Sequence, residues 1–503
     1  MGLRPLNRLM SMRRGRRRRP IQSPADGLVA SAAKRKDSPC RQDDNSRSDK
    51  KLRYSGKSLP EDIWHHIHSL LPLRDAARVA CVSHAFRHSW RCYPNLDITR
   101  KALGLEDEMS SSFEISSALA SITNQILKER SRIGVKALRL EINDFPMFST
   151  SSDLDRWLYI AVRPGIEKLD LWLKLHSYDD APVYNFPCPL LLDGSGKSIR
   201  DLQLRNCAFR PTAELGCLRS LTSLSLCSVH ITGDELRCLL SSSLALDKLI
   251  LLLCNEITFL EIPSLLQRLS HLDVNCCTNL KVIESKAPNL YNFKYEGALI
   301  RLSLGDSLQN FKFFRSSWAM FHYACKNHPH MVPNLEGLDI STYVGDTLVV
   351  PVPGKFLHLR KLCFGFISPD YDYLSLVEPV AMEQESVLGD SSHDLRKMPG
   401  HLHRSIKYVQ IVGFCSAKSM VELTCHILEN AKSLQRLTLS TFVQDGIFCS
   451  SSKTGKCLSM SRDRIVEAHK ALLVVQRYIV EKVPSSVELK VVEPCNQCNP
   501  LKI

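Results

Sequence analysis

The stretch LSHLDVNCCTNL, residues 269–280, carries apolar residues at its first, fourth and sixth positions. The same spacing, apolar-x-x-apolar-x-apolar, recurs from about residue 133 to 440. Clear copies are IRDLQLRNC at 199–207, LTSLSL at 221–226 and LDKLILLLC at 246–254. Apolar residues two positions apart in a short segment predict a strand with one buried face. The chain therefore repeats one short strand many times.

The spacing of these copies identifies the kind of repeat. Their second apolar positions are spaced 22, 25, 23 and 21 residues apart, at Leu202, Leu224, Leu249, Leu272 and Phe293. One strand plus one connection per 20–29 residues is the period of leucine-rich repeats, and residues 269–280 match the template L-x-x-L-x-L-x-x-C-x-x-L almost completely. One such unit cannot bury its apolar face, whereas a stack of about a dozen units can. We predict an irregular leucine-rich-repeat solenoid, or horseshoe, over residues 133–440.

Two departures from the period delimit the solenoid. The interval from Leu362 to Val409 is too long for one repeat, and residues 366–404 are rich in acids, Pro, Gly and Ser. We predict a surface insertion there. Beyond residue 440, residues 463–482 read as an amphipathic helix and residues 487–493 as a final strand. We interpret residues 441–503 as a helix–strand C-terminal cap and tail.

The N-terminal 57 residues have a different character. Residues 1–53 contain sixteen Lys or Arg and five Asp, which leaves them with a net charge of +11, out of +14 for the whole chain. A segment with so little apolar surface cannot offset its ordering entropy, so residues 1–57 are predicted to be a disordered basic tail. A dense positive cluster within it favours nuclear import, and its members are Arg13, Arg14, Arg16, Arg17, Arg18 and Arg19. A solvated tail with no address and an organelle transit peptide stay open as alternatives.

Residues 58–96 predict a compact module of three short helices. Pro60 suits the first position of a helix, and Pro72 ends that helix. A second helix follows from Leu73 to Cys81, and Ser83 is a plausible N-cap for a third. Residues 97–132 are interpreted as a helical linker, or N-terminal cap of the solenoid. A module of this size is too small for a confident core of its own, so it needs a partner surface or a neighbouring domain.

Several kinds of chemistry are not indicated. His84 and His88 have chelate spacing on a helix, but no further ligand accompanies them, and Cys495 with Cys498 supplies only half of a zinc site. We therefore predict no metal, no cofactor and no enzymatic activity. Removing the tail charge leaves about +3 on the rest of the chain, so no nucleic-acid-binding face is indicated. No apolar stretch is long enough for a membrane span. The 19 scattered cysteines favour a reducing compartment, the nucleus and/or the cytoplasm.

The stretch LPEDIWHHIHSLLPLRDAARVACVSHAFRHSW, residues 59–90, resembles an F-box. That family docks on the Skp-type adaptor of a cullin–RING ubiquitin ligase, and commonly has Trp where Phe86 stands. The resemblance implies an adaptor-binding surface that is formed by Leu59, Pro60, Ile63, Ile67, Leu70, Leu73, Ala76, Val79, Val82 and Trp90. The sequence leaves open whether His65, His66 and His68 border this surface.

The remainder is similar to plant F-box/leucine-rich-repeat proteins with an FBD-like C-terminal region. The residues that carry this likeness are APNLYNFKYEG at 287–297, VGFCSAKSMVELTCHILENAKSLQRLTL at 412–439 and ALLVVQRYIVEKVPSSVELKVVEPC at 471–495. The resemblance implies an α+β repeat protein. It also implies a non-catalytic substrate-recognition subunit of an SCF-type (Skp–cullin–F-box) E3 ubiquitin ligase. A leucine-rich-repeat scaffold or a small-molecule receptor, acting without ligase assembly, is the alternative.

A binding face for an unknown protein target follows from strand geometry. Residues between the buried positions of each strand point to the opposite face, which is concave in a solenoid. Apolar or distinctive residues at such positions indicate an anchor patch. The predicted target-binding residues are Trp172, Arg205, Ile250, Leu252, Asn275 and Phe314.

Overall fold

The protein is described from a computed structural model. The structure describes residues 60–82, 87, 89–90, 93–105, 112–129, 134–145, 151–175, 183–192, 194–212, 218–298, 300–304, 307–314, 334–343, 358–367, 386–388, 395, 402–442, 460 and 462–494. The chain forms two compact units, residues 1–133 and 134–503. The predicted basic tail, its arginine cluster, Leu59 and the Cys495/Cys498 pair lie outside the described residues.

The first unit contains short helices. They are α1 (Glu61–Ser69), α2 (Leu73–Val82), α3 (Arg100–Leu103) and α4 (Ser112–Glu129), with strand β1 (Asn95–Ile98) before α3. Pro60 is the N-cap residue of α1, one position before the first helical position that the sequence predicted for it. The third helix of the predicted module lies largely outside the described residues, although Arg87, Ser89 and Trp90 are helical. The hydroxyl of Thr99 caps α3 by accepting from the Ala102 N–H.

The second unit is a parallel repeat sheet. Its strands are β2 (Ala137–Phe145), β3 (Lys168–Leu175), β4 (Asp201–Arg205), β5 (Ser223–Cys227), β6 (Lys248–Leu252), β7 (Phe259–Ile262), β8 (His271–Asn275), β9 (Val282–Ser285), β10 (Asn292–Glu296), β11 (Arg301–Ser303), β12 (Asn310–Phe314), β13 (Gly337–Tyr343), β14 (Lys361–Ile367), β15 (Tyr408–Val412), β16 (Arg436–Ser440) and β17 (Glu488–Val492). Within the second unit, the strands of the main sheet follow the order β2 to β6, then β8, β10 and β12 to β17.

The register of the main sheet aligns the second apolar position of every repeat. The successive partners are Leu138, Leu169, Leu202, Leu224, Leu249, Leu272, Phe293, Phe311, Leu338, Leu362, Val409, Leu437 and Leu489. Those from Leu138 to Leu338 are buried. Because a one-residue slip would turn this apolar column outward, burial fixes the register.

The connections between strands vary along the chain. Among the described residues, α-helices occupy four of them: α5 (Ser151–Ala161), α6 (Gly233–Ser242), α7 (Lys418–Asn430) and α8 (Arg462–Val474). Between residues 259 and 303 the connections contain strands instead, and β7, β9 and β11 form a second, three-stranded parallel sheet. The sequence predicted a single strand per repeat and did not reveal this second sheet. Leu260, Ile283 and Leu302 share one register position in it, and all three are buried.

Four successive repeats of the main sheet end in the same unusual backbone conformation. Asn206, Ser228, Leu253 and Cys276 each follow the last residue of their strand, and each has φ between 52° and 58°. Non-glycine residues rarely adopt this left-handed region. Each N–H donates to the carbonyl of the final residue of the next strand, as from Ser228 to Leu252 at 2.7 Å. The hydrogen bonding between neighbouring repeats therefore extends one residue beyond the end of each of these strands.

The C-terminal part continues the sheet. The predicted helix over 463–482 is α8, followed by π-helical Val475–Ile479 and a 3-10 turn at Val480–Lys482. The predicted final strand is β17, which pairs in parallel with β16, so the sheet does not end at residue 440. Most of the predicted insertion at 366–404 lies outside the described residues. Val387 within it is buried, and its N–H donates to the carbonyl of Ser416, so the insertion contacts the rest of the second unit at this point.

Candidate functional site

An apolar stripe on α1 is exposed on the first unit. Ile63, Ile67 and Leu70 follow one another at helical spacing, and Leu70 retains 70% of its accessible surface. We call these three residues the α1 stripe. Pro60 before α1 is also exposed, and Val82 at the end of α2 retains 80%. Exposed apolar side chains this close together in so small a unit are typical of an interaction surface.

The other predicted adaptor contacts divide differently. Leu73, Ala76 and Trp90 are buried within the unit, each with 5% or less of its surface accessible. A side chain in the core cannot line an exposed surface, so these three are corrected from contacting residues to residues that support the surface. Val79 is half-buried.

The histidines of α1 occupy contrasting environments. His68 is fully buried, where its Nε2–H donates to the carbonyl of Ala76 at 2.9 Å. The rings of Trp90 and Tyr93 meet it edge-on, with centroids 6.4 and 5.7 Å away. His66 is exposed and His65 half-buried. His68 is thus a core residue of the unit. In the part of the chain that the structure describes, no three His, Cys, Asp or Glu side chains form a metal-binding group.

On the second unit, the outward residues of the main sheet form parallel rows. One row joins five of the six predicted target-binding residues, since the register aligns Trp172, Arg205, Leu252, Asn275 and Phe314. We call this the Trp172 row. Its other members are Glu141, Cys227 and Glu296. Ile250 belongs to the neighbouring row with Arg139, Asp170, Gln203, Ser225, Asp273 and Lys294. The Phe314 side chain lies outside the described residues.

Ion pairs neutralise most of the charge on these rows. Arg139 Nε lies 3.3 Å from Asp170 Oδ2, and Lys294 Nζ lies 3.5 Å from Asp273 Oδ2. Lys174 lies two residues after Trp172 on β3, and its Nζ is 2.6 Å from Glu141 Oε1. These pairs link adjacent strands, where opposite charges stabilise the pairing by some tenths of a kcal/mol.

Trp172 is the aromatic centre of the row. Arg205 Cζ lies 4.8 Å from its ring centroid, and Lys174 Nζ lies 4.3 Å from it. Unlike the other cations described above, Arg205 has no carboxylate within ion-pair distance among the described residues, and it donates only to Gln203 Oε1 at 3.4 Å. A guanidinium stacked on an indole keeps the donors at its edge available to a ligand.

The middle of the Trp172 row is apolar, and the buried side-chain amide of Asn275 follows it. Cys227, Leu252 and the neighbouring Ile250 are half-buried. Asn275 is only 7% exposed, and its Nδ2 donates to Asp273 Oδ1 at 2.6 Å. Its Oδ1 is buried and has no hydrogen-bond partner in the described structure. A buried acceptor without a partner is costly, so it indicates a donor supplied from elsewhere.

Comparison with protein families matches both units. The F-box domain model matches residues 57–96. The model for the At1g61320/AtMIF1 leucine-rich-repeat domain matches residues 126–496, which is more than half of the chain. This chain belongs to the F-box/leucine-rich-repeat family. Membership accounts for the short helices before an α+β repeat sheet, while the FBD-like character of the C-terminal region stays a prediction.

Three relatives from Arabidopsis thaliana illustrate the likeness. The chain is 27% identical over 193 residues to the putative F-box/LRR-repeat protein At3g28410, which covers 38% of this chain and 36% of the relative. It is 30% identical over 139 residues to F-box/LRR-repeat protein At4g14103, which covers 27% and 34%. It is 25% identical over 239 residues to F-box/LRR-repeat protein At3g03360, which covers 46% and 45%. The chain thus spans less than half the length of each of these relatives.

No helix among the described residues is both long enough and apolar enough to cross a bilayer.

Proposed function

We propose that this F-box/leucine-rich-repeat protein is a substrate-recognition subunit of an SCF-type E3 ubiquitin ligase. In this role the F-box binds a Skp-type adaptor, and through it the cullin and RING subunits. The repeat sheet binds a protein target. The observation that carries the proposal is the exposed α1 stripe, Ile63, Ile67 and Leu70, within a segment that matches the F-box model.

The proposed role requires no bond chemistry in this chain. Linking two binding modules converts the encounter of target and ubiquitin-conjugating enzyme into an intramolecular event, with an effective concentration in the millimolar range for short flexible links. The chain then acts as a non-catalytic part of the ligase. Its specificity lies in the outward face of the repeat sheet.

Adaptor binding tests the first half of the proposal. Ile63→Asp and Ile67→Asp each place a carboxylate in the α1 stripe, where docking would desolvate it. Each variant is expected to lower adaptor affinity at least tenfold in a titration with purified Skp-type adaptor. Ser121→Asp is the matched control, because it adds the same charge at an exposed position of α4 in the same unit. Full adaptor binding by both stripe variants would overturn the proposal.

The same titration distinguishes the alternative role. A leucine-rich-repeat scaffold or a small-molecule receptor that acts without ligase assembly would bind its ligand but not the adaptor. Leu73→Asp is unsuitable for this purpose, because Leu73 is buried and a charge there would unfold the unit.

Target capture tests the second half of the proposal. Leu252→Asp changes a half-buried apolar residue in the Trp172 row, and it is expected to reduce ubiquitination of targets found by proximity labelling under proteasome inhibition. Leu265→Asp is the matched control, since Leu265 is more than half exposed and lies in the connection before β8. Unchanged target ubiquitination in Leu252→Asp would contradict binding by this face.

We also propose a location in the nucleus and/or the cytoplasm. The support is the cluster Arg13–Arg14 and Arg16–Arg19 in the sequence. Replacing these six arginines by serine in a fluorescent fusion is expected to lower the nuclear fraction. An unchanged distribution would favour a tail without an import function.

A further inference from the structure

The Trp172 row carries a cation, an apolar strip and an unpartnered acceptor in a fixed order. Arg205, Cys227, Leu252 and Asn275 occupy one register position on four successive strands of the main sheet. Neighbouring strands lie about 4.8 Å apart, so about 14 Å separates the backbone at the two ends of this segment. An extended peptide rises about 3.3 Å per residue, so about four of its residues would cover the segment.

Each end of the segment selects a different chemical group. The Arg205 guanidinium is held against Trp172, and no carboxylate of the described chain pairs with it. A fork of N–H donors in a fixed orientation is complementary to a carboxylate. At the other end, Asn275 Oδ1 is a buried acceptor that needs an N–H donor. A peptide backbone supplies such donors at every residue except proline.

The middle of the segment excludes a fully polar ligand. Leu252 and Cys227 lie between the two ends, with Ile250 beside them in the next row. A polar side chain lying against these residues would lose hydration without gaining a hydrogen bond. An aliphatic side chain is stabilised there instead, because its apolar surface is removed from water.

We propose that this segment binds an extended peptide of the target, in which an acidic side chain precedes an aliphatic side chain by about three residues. The carboxylate pairs with Arg205, the aliphatic side chain covers Leu252, and a backbone N–H beyond it donates to Asn275. The proposal deepens the proposed function and rests on it, since it names the chemistry that the repeat sheet recognises. Charge complementarity at Arg205 and the unpartnered acceptor of Asn275 together define the occupant.

The test uses the full-length chain and an array of synthetic nine-residue peptides. Each peptide carries one Glu and one Leu, separated by one to five positions, in a Gly/Ser/Ala background. Each peptide on the array has a matched control peptide, the Gln copy, in which Gln replaces Glu. We expect the binding signal to peak at a separation of about three, and to exceed that of the copy with Gln at least tenfold.

Three variants assign the signal to residues. Arg205→Gln is expected to remove the difference between Glu and Gln copies, whereas Arg205→Lys retains part of it, because lysine keeps the charge but not the fork. Asn275→Ala is expected to weaken binding to both copies severalfold and leave their ratio unchanged. Arg139→Gln is the matched control, since Arg139 lies on the same face but pairs with Asp170, and it is expected to behave as wild type. Thermal unfolding of each variant confirms that it folds.

Several outcomes would overturn the inference. They are equal binding to Glu and Gln copies, an unchanged ratio in Arg205→Gln, an unchanged signal in Asn275→Ala, or no bound spot with the wild-type chain. None of these touches the adaptor titration or the Leu252→Asp ubiquitination assay. Failure of the peptide chemistry is therefore distinguishable from failure of the proposed function.

Discussion

Gly233, the first residue of α6, lies against the carbonyl oxygen of Phe259 in β7, and a β-carbon on Gly233 would overlap that oxygen. The obstacle is backbone, so no side-chain rotation relieves it. Gly233→Ala is expected to lower the free energy of unfolding by about 1–3 kcal/mol, the usual cost of overpacking. Chemical denaturation monitored by circular dichroism measures the change. Ser241→Ala is the control on the exposed side of α6, and it is expected to leave stability nearly unchanged. Equal stability of the two variants would contradict the close approach.

The start of α6 offers a second comparison, between neighbouring acids. Glu235 completes a capping box with Thr232, whose N–H donates to Glu235 Oε2 at 2.8 Å, and it also pairs with Arg210 at 3.0 Å. Asp234 is 91% exposed, and among the described residues its one ion pair is with Arg237 in the same helix. We expect Glu235→Ala to cost about 1 kcal/mol or more of unfolding free energy and Asp234→Ala to cost less than half as much. Thermal denaturation measures both variants. A larger loss of stability in Asp234→Ala than in Glu235→Ala would argue against the capping box as a determinant of stability.

Glu256 gives the second unit a dependence on acid. Its carboxylate accepts from Arg210 at 2.8 Å and from His230 at 2.8 Å. Arg210 in the first place, and then His230, hold the pKa of Glu256 below its ordinary value. A depressed pKa in the folded state stabilises the protein above the unfolded pKa of about 4.3, and this contribution is lost as the pH falls through the folded pKa.

Glu256→Gln is therefore expected to weaken the loss of stability below about pH 4.5. Because the three side chains are partly exposed, the contribution at neutral pH is about 1 kcal/mol or less. Unfolding free energies of wild type and variant between pH 3 and 7 give the comparison. Glu429→Gln, at an exposed position of α7, serves as the control. If the unfolding free energy of Glu256→Gln fell with decreasing pH as steeply as that of the wild type, Glu256 would not be the group responsible for the acid dependence.

The cysteines are expected to differ in reactivity. Burial raises the pKa of the Cys207 thiol to about 12, and that of Cys415 to about 11. The thiolate is the reactive form, so at pH 8 Cys207 reacts at about one ten-thousandth of the rate of a fully ionised thiol. Iodoacetamide at pH 8 is expected to modify half-buried Cys227, in the Trp172 row, before Cys207 and Cys415. Peptide mass spectrometry gives the order, and denatured protein, in which the three react alike, is the control. Early modification of Cys207 would disagree with its burial.

The repeat sheet was predictable because its signal is redundant. The spacing of Leu202, Leu224, Leu249 and Leu272 in the sequence aligns residues that are partners in the sheet. The apolar positions of one repeat predict which residues of the next repeat pair with them, since a strand with one buried face has only one acceptable register. The same alignment brought most of the predicted target-binding residues into the Trp172 row.

The second sheet and the core of the first unit were not predictable in this way. Segments such as FLEI at 259–262 are four residues long, and their pairing depends on stacking against residues far away in the chain. In the first unit, the apolar pattern marks Ile67 and Leu73 alike, but only packing leaves one exposed and buries the other. Helical periodicity specifies a face and not what covers it.

Sequential strand pairing has a mechanical consequence for the second unit. In the main sheet each internal strand is hydrogen-bonded to the repeat before it and to the repeat after it, and solenoid stability is a sum of such nearest-neighbour terms. A pulling force on the two ends of the unit is then borne by one strand boundary at a time. We expect extension to proceed in small successive steps that begin at β17, where no residue is fully buried. We expect such a protein to unfold repeat by repeat under force, and to refold by adding repeats to those that stay folded.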